Sequence, residues 1–274
     1  KKLTMNNNLS CNSLLNNVSD LISDTCKIIQ KQNNIDYDYK TDGSPVTRAD
    51  IEADKFIFSG LKNITPHIPI VSEERSLNRQ RINNNNPHWL IDPLDGTQSY
   101  IDGKDEYTVN IALIENNIPT LGAIGHPPTG IIWFGRDNKA FKRNKKGIIK
   151  KIKTRKTPIK KTIILTSRSF TNLERPWFKN LIDPKIIKVS SSLKFCKIAE
   201  GCADIYPRYN NIHEWDIAAG HAILSAAGGI LLNTKGNNVK YTDKNRIAEQ
   251  FTAYGDISWV RRNNLYGKKN VSNF

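Results

Sequence analysis

Carboxylates stand at the ends of apolar runs in this chain. Residues 68–71 lead into Ser72-Glu73-Glu74, and Trp89-Leu90-Ile91 leads into Asp92-Pro93-Leu94-Asp95-Gly96-Thr97. Short apolar runs bounded by turn residues read as buried strands. An acid just beyond such a strand is costly unless positive charge meets it. The fold must therefore gather these strand ends and supply a cation. A third acid, Asp216, opens the apolar stretch 215–227, which has helical spacing and stops at Gly228-Gly229.

The turn after Ile91 is built to present ligands. Pro93 fixes its own φ and pushes Asp92 toward an extended conformation. Gly96 permits a tight turn. Two carboxylates, the Leu94 carbonyl and the Thr97 hydroxyl can then converge. Converging carboxylates call for a hard divalent cation, and magnesium prefers such oxygen donors together with substrate phosphate. Taken singly, each piece has a plainer use: Asp-Pro and Asp-Gly are common turns, and an Asp before a helix is often a cap.

The rest of the chain reads as mixed α and β. Leu14, Val18, Leu21, Ile22, Cys26 and Ile29 predict an amphipathic first helix. A polar link follows over 36–44. Thr47-Arg48-Ala49-Asp50 has capping-box spacing, predicting a helix over 48–62 that buries Ile51, Phe56 and Leu61. Runs at 109–114, 121–124 and 131–134 predict strands of one sheet. The lysine-rich stretch 145–161 reads as the link between two halves, 9–160 and 161–274. A second set of strands starts at 163–165, and 230–232 is a further strand. The order of elements indicates a layered α+β fold, not a repeated βαβ unit.

Composition narrows the function. The 274 residues carry a formal charge of +15, which attracts anions at long range; nucleic acid, an anionic membrane surface and phosphorylated metabolites all fit. No helix-turn-helix, zinc or aromatic RNA-binding signature supports nucleic acid as the main partner. The four cysteines (11, 26, 196, 202) lack metal or disulfide spacing and read as free thiols of a reducing, cytoplasmic setting. No apolar run approaches a membrane span, and residues 1–8 lack a signal-peptide core. The runs 145–161 and 261–269 leave a weak hold on the cytoplasmic face of an anionic inner membrane as a secondary expectation. His213 and His221, either side of Asp216, read as packing or capping groups.

Asp50, Glu73-Glu74, Asp92 to Thr97, Trp215-Asp216 and Gly228-Gly229, in this order, resemble the inositol monophosphatase superfamily of magnesium-dependent phosphomonoesterases, over roughly residues 10–256. Stretches 42–47, 106–113, 191–196, 206–208 and 215–221 are most similar to its bacterial 3′(2′),5′-bisphosphate nucleotidase branch. The resemblance implies an α-β-α-β-α sandwich, of the inositol monophosphatase and fructose bisphosphatase type, with the site between the halves. It implies two or three Mg²⁺ ions on Glu73, Asp92, the Leu94 carbonyl, Asp95 and Asp216. Asp50 and Thr97, with Glu73, would be catalytic, the first two orienting the attacking water. Substrate contacts would be Glu73, Asp95, Gly96, Thr97, Gln98, Ser191, Lys194, Arg208 and Asp216, with Ser191, Lys194 and Arg208 meeting the nucleotide and its second phosphate. The implied reaction is hydrolysis of adenosine 3′,5′-bisphosphate to AMP and phosphate. Gln98, Tyr100 and the stretch 102–105 depart from close relatives and bear on substrate fine-tuning. An inositol monophosphatase or a broad sugar-phosphate phosphatase is the alternative, and residues 191–196 and Arg208 discriminate.

Overall fold

The computed structural model describes residues 11–32, 36–75, 86–168, 178–179, 181–242 and 245–266. Residues 1–8, and the end of the basic run 261–269, lie outside the described residues.

Helix α1 (Cys11–Gln30) buries Leu14, Val18, Leu21, Ile22, Cys26 and Ile29, the stripe its periodicity predicts. The supposed link at 36–44 contains strand β1 (Tyr37–Tyr39), which forms an antiparallel hairpin with β2 (Pro45–Thr47). Its exposed Tyr-Asp-Tyr pattern hides it from a search for apolar runs. Helix α2 (Arg48–Ile64) starts at the capping box, with Thr47 and Asp50 bonding reciprocally. It buries Ala49, Ala53, Ile57 and Leu61, one i, i+4 stripe against α1; Ile51 and Phe56, expected inside, are 44% and 37% exposed. Gly60 lets the two helices approach, since a Cβ there would stand 2.4 Å from Leu21 Cδ1, and Ile51 and Phe56 fall on the outer face.

Strand β3 (Ile70–Ser72) pairs in parallel with β4 (His88–Asp95), which ends at the short helix α3 (Thr97–Ile101). An antiparallel meander follows: β5 (Thr108–Glu115), β6 (Ile118–His126), β7 (Ile131–Arg136), β8 (Lys139–Arg143) and β9 (Ile149–Ile152). The basic stretch 145–161 is thus more than a link, since it contributes the edge strand β9. Lysines on such an edge discourage pairing with other chains.

The second sheet has the order β11 (Lys185–Lys188), β10 (Ile163–Thr166), β12 (Ile205–Arg208), β14 (Phe251–Tyr254), β13 (Ile230–Asn233). Helices α4 (Leu193–Ala199) and α5 (Glu214–Ala226) lie between the sheets, and α6 (Ile257–Arg262) covers the outer face of the second. Three apolar clusters mark the layers. α1 and α2 pack on one face of the first sheet, α4 and α5 fill the space between sheets, and Trp259 and Val260 of α6 close the far side. The result is the α-β-α-β-α sandwich.

α5 is apolar nearly all round because both sides face protein. It lies so close to the first sheet that a Cβ on Gly122 of β6 would stand 2.3 Å from the Ala219 carbonyl oxygen. That contact sets the height of Asp216 above the sheet.

Candidate active site

Strand alternation aims the first acids. In β4, Trp89 and Ile91 face α1 and α2, while Leu90 faces the inter-sheet layer; Asp92 continues the Leu90 face. The ladder to β5 shifts register between Asp92 and Asp95, which frees the chain to turn. Gly96 takes φ +99°, and a Cβ there would stand 2.9 Å from the Glu106 carbonyl oxygen. Leu94 N–H donates to Asp92 Oδ1 at 3.0 Å, closing the Asx turn that Asp-Pro-Leu-Asp favours.

Among the described residues, Glu73, Asp92 and Asp216 bring carboxylate oxygens within 4.8 Å of one another. Asp92 Oδ2 is buried without a partner. Burial first, and then the charges of Glu73, Asp95 and Asp216, push the Asp92 carboxyl well above the usual carboxylate range; burial with Asp95 and Glu73 does the same to Asp216. An orphaned oxygen amid crowded acids is the donor set a hard divalent cation fits.

Asp95 lies beside this trio and not within it. Its Oδ2 accepts from Ser192 N–H at 2.6 Å, with Thr108 Oγ1 at 3.3 Å and Asn110 Nδ2 at 3.4 Å. The Ser192 hydroxyl also donates to Asn110 Oδ1 at 2.7 Å. Sequence reasoning missed this support. Its signal was the polar pair Thr108 and Asn110, two apart and so on one face of an otherwise apolar strand.

Asp50 and Thr97, which the family resemblance pairs, lie together: the Thr97 hydroxyl is 3.0 Å from Asp50 Oδ1 and 3.1 Å from the Leu94 carbonyl oxygen. It has one proton for two acceptors. Burial raises the Asp50 pKa, opposed by hydrogen bonds from Thr47 and Thr97.

Lys40 was also missed. From the hairpin turn it reaches Glu73 at 2.8 Å and Glu74 at 2.7 Å. Burial opposes its charge, but the two glutamates outweigh burial and raise its pKa. Burial and Glu73 lift Glu74 to about 7. An ammonium between two acids marks where positive charge is wanted.

Ser191, Lys194, Arg208, Asp95 and Asp216 line one cavity of about 280 Å³. Lys194 is 4% exposed and donates to the carbonyls of Val189 (3.0 Å) and Ser191 (2.6 Å). Burial lowers its pKa to about 8, against the pull of Asp95. Ser191 holds φ +54°, and its hydroxyl and Arg208 Nε are buried without partners. Gln98 is exposed and turns its amide to Asp102 Oδ1 at 2.7 Å.

The histidines sit as packing groups. His213 stacks on Trp215 at 4.6 Å, and its backbone N–H caps Asp216 at 2.9 Å. His221 is buried beside the Tyr241 hydroxyl, and burial lowers its pKa to about 3.

Residues 10–263 match the inositol monophosphatase family, and the chain belongs to it. It is 42% identical over 226 residues to the 3′(2′),5′-bisphosphate nucleotidase CysQ of Buchnera aphidicola subsp. Acyrthosiphon pisum, covering 81% of this chain and 83% of that one. The CysQ of Escherichia coli K12 is 38% identical over 206 residues, covering 75% and 82%. Among solved structures, CysQ from Bacteroides thetaiotaomicron superposes with a TM-score of 0.72 at 29% identity, covering 88% of this chain and 96% of that one. A Thermotoga maritima inositol monophosphatase shares the fold, with a TM-score of 0.72 at 20% identity over 92% and 94%.

Proposed function

We propose that this chain is a magnesium-dependent phosphomonoesterase that hydrolyses adenosine 3′,5′-bisphosphate to AMP and phosphate. The observation that carries the substrate is one cavity lined both by Asp95 and Asp216 and by Lys194 and Arg208. A substrate with two phosphates suits both groups: one anion would go to the carboxylate-held metals, the second to the two cations. An inositol monophosphate has nothing to offer the two cations. The nucleotidase relatives support the same reading.

Glu73, Asp92 and Asp216, with Asp95 and the Leu94 carbonyl, would hold two or three Mg²⁺ ions. Bound magnesium supplies the charge neutralisation that a phosphate ester needs before a water can attack it, and acidifies that water. The protein's own groups do the rest. The Thr97 hydroxyl, donating to Asp50, keeps its lone pairs for the attacking water. Asp50, made more basic than usual by burial, accepts the proton as the water oxygen bonds to phosphorus and the P–O3′ bond breaks. The leaving oxygen takes a proton from solvent. Glu73 positions the catalytic end, and Gly96, Thr97 and Gln98 offer backbone N–H groups to the phosphate. Ser191, Lys194 and Arg208 hold the 5′-phosphate by charge-assisted hydrogen bonds. The half 9–160 would carry most of the metal ligands, and the half 161–274 would carry Asp216 and the nucleotide contacts.

The three described cysteines that the structure leaves free, Cys26, Cys196 and Cys202, support a cytoplasmic placement. Among the described residues no helix is long and apolar enough to cross a membrane. Weak attachment of stretch 145–161 to anionic lipid is tested by sedimentation with phosphatidylserine vesicles over a salt series.

The deciding experiment is phosphate release with Mg²⁺ from adenosine 3′,5′-bisphosphate, 3′-AMP and inositol 1-phosphate. The bisphosphate should have the highest kcat/KM. Inositol 1-phosphate as the best substrate would replace this reading with that of an inositol monophosphatase.

A further inference from the structure

Glu106 belongs to neither end of the site, yet it joins them. It lies in the first half, two residues before β5. Its Oε2 accepts Arg168 Nη2–H at 2.9 Å, Arg168 Nε–H at 3.2 Å and the backbone N–H of Ser190 at 3.1 Å, all from the second half. Arg168 Nε also lies 3.2 Å from Ser190 Oγ. Two residues on, Ser192 N–H donates to Asp95 of the first half. The turn 190–192 is therefore fastened at both ends to carboxylates of the opposite half.

The residue between the fastenings is Ser191. It occupies the left-handed region at φ +54°, a conformation that costs a non-glycine residue free energy and persists where its surroundings impose it. In that pose its carbonyl accepts the Lys194 ammonium, and its buried hydroxyl has no partner. Ser191 lines the same cavity as Ser190, Arg168 and Arg208. Arg168, itself a lining residue, pairs with Glu106 at 2.9 Å and neutralises its charge.

We propose that Glu106 is a positioning residue for recognition of the second phosphate. By holding Ser190 and Arg168 it fixes the Ser191 turn, and through it Lys194, in the geometry that binds the distal anion. The proposal rests on the bisphosphate reading above. Glu106 itself makes no hydrogen bond among the described residues with Glu73, Asp92, Asp95 or Asp216; the turn it holds reaches the metal ligands only at its far end, where Ser192 N–H donates to Asp95.

The test uses the full-length protein with Mg²⁺ and compares adenosine 3′,5′-bisphosphate with 3′-AMP. Glu106→Gln should raise KM for the bisphosphate about tenfold, the worth of one charge-assisted contact, with a smaller change in kcat. The 3′-AMP kcat/KM should change by less than about threefold. Arg168→Met should raise the bisphosphate KM further, since it leaves Glu106 as a bare negative charge beside the distal phosphate. The double variant should recover toward Glu106→Gln, a coupling that two independent surface changes do not show. If Glu106→Gln fails to fold, Arg168→Met decides alone through its substrate contrast. Equal losses on both substrates, or additive effects in the double variant, would overturn the inference while leaving the substrate reading intact. A wild type that does not prefer the bisphosphate would overturn the substrate reading and the inference together.

Discussion

Replacing Lys194 with Met separates the cost of a buried ammonium from its use. Lys194 is 4% exposed, and burial lowers its pKa from 10.5 to about 8 against the favourable charge of Asp95. At about 1.4 kcal/mol per pK unit, holding the charge in the folded chain costs about 3 kcal/mol at pH 7. The sign follows from proton counts. Between about pH 8 and 10.5 the unfolded chain keeps a proton that the folded chain has lost, so stability rises with pH across that window. Below it the cost is fully present. Met removes the titration and keeps the volume, although it strands the Val189 and Ser191 carbonyls. Wild type should therefore gain about 2–3 kcal/mol relative to Lys194→Met between pH 7 and pH 10, read by urea unfolding with EDTA at each pH. In turnover, the variant should lose roughly tenfold to a hundredfold in kcat/KM for the bisphosphate, the value of a charge-assisted contact, and far less for 3′-AMP. Wild-type kcat/KM for the bisphosphate should also decline above about pH 8 as the free enzyme's ammonium discharges. Two stability curves that stay parallel from pH 7 to 10, or a variant that keeps its preference for the bisphosphate, would refute the reasoning.

Asp50→Asn and Thr97→Ala should each lower kcat much more than they raise KM, because the pair acts on the attacking water and not on ground-state binding; steady-state kinetics on the bisphosphate check this, and a change mainly in KM reassigns the residue to substrate binding. Gly122→Val should cost more than about 3 kcal/mol, since even a Cβ there stands 2.3 Å from the Ala219 carbonyl oxygen, and chemical denaturation will show whether α5 can shift instead.

Much of the site was legible because its acids terminate apolar runs, a pattern strand burial makes conspicuous. Glu73, Asp92 and Asp216 converge as the sequence predicts, the Thr47–Asp50 spacing located a helix start, and the family resemblance paired Asp50 with Thr97. What stayed hidden depends on tertiary placement. Lys40 sits in a polar turn whose hairpin has no apolar strand to announce it, and only the fold carries that turn over Glu73. Ile51 and Phe56 were expected inside, but the buried stripe of α2 is Ala49, Ala53, Ile57 and Leu61, which turns Ile51 and Phe56 outward. The Asp95 support from Ser192 spans 97 residues, a pairing that no local pattern encodes. Ser191 gives no sign in sequence of a left-handed backbone, which arises from its two fastened neighbours.

The acidic cluster also ties folding to metal through protons. The Asp92 and Asp216 carboxyls are pushed well above the ordinary carboxylate range by burial and mutual repulsion. A group with a raised folded pKa contributes stability that is fully present below its unfolded value and is lost as pH rises through the folded one. The metal-free chain should thus lose this contribution as pH climbs and the crowded carboxylates ionise. A divalent cation needs those carboxylates ionised, so binding must expel the protons they retain. Two consequences are measurable without turnover. Calorimetric titration of the protein with Mg²⁺ should give heats that differ between buffers of low and high ionisation enthalpy, and the implied proton release should shrink as pH rises. Saturating Mg²⁺ should raise Tm more at pH 8 than at pH 5.5, because at the lower pH protons compete for the same oxygens. Asp92→Asn should raise Tm in EDTA by removing one repelling charge, and should abolish most of the Mg²⁺ effect. Buffer-independent heats together with an Asp92→Asn variant less stable than wild type in EDTA would show that these acids are not held against their own repulsion, and that the site at the strand ends is not a metal site waiting on proton release.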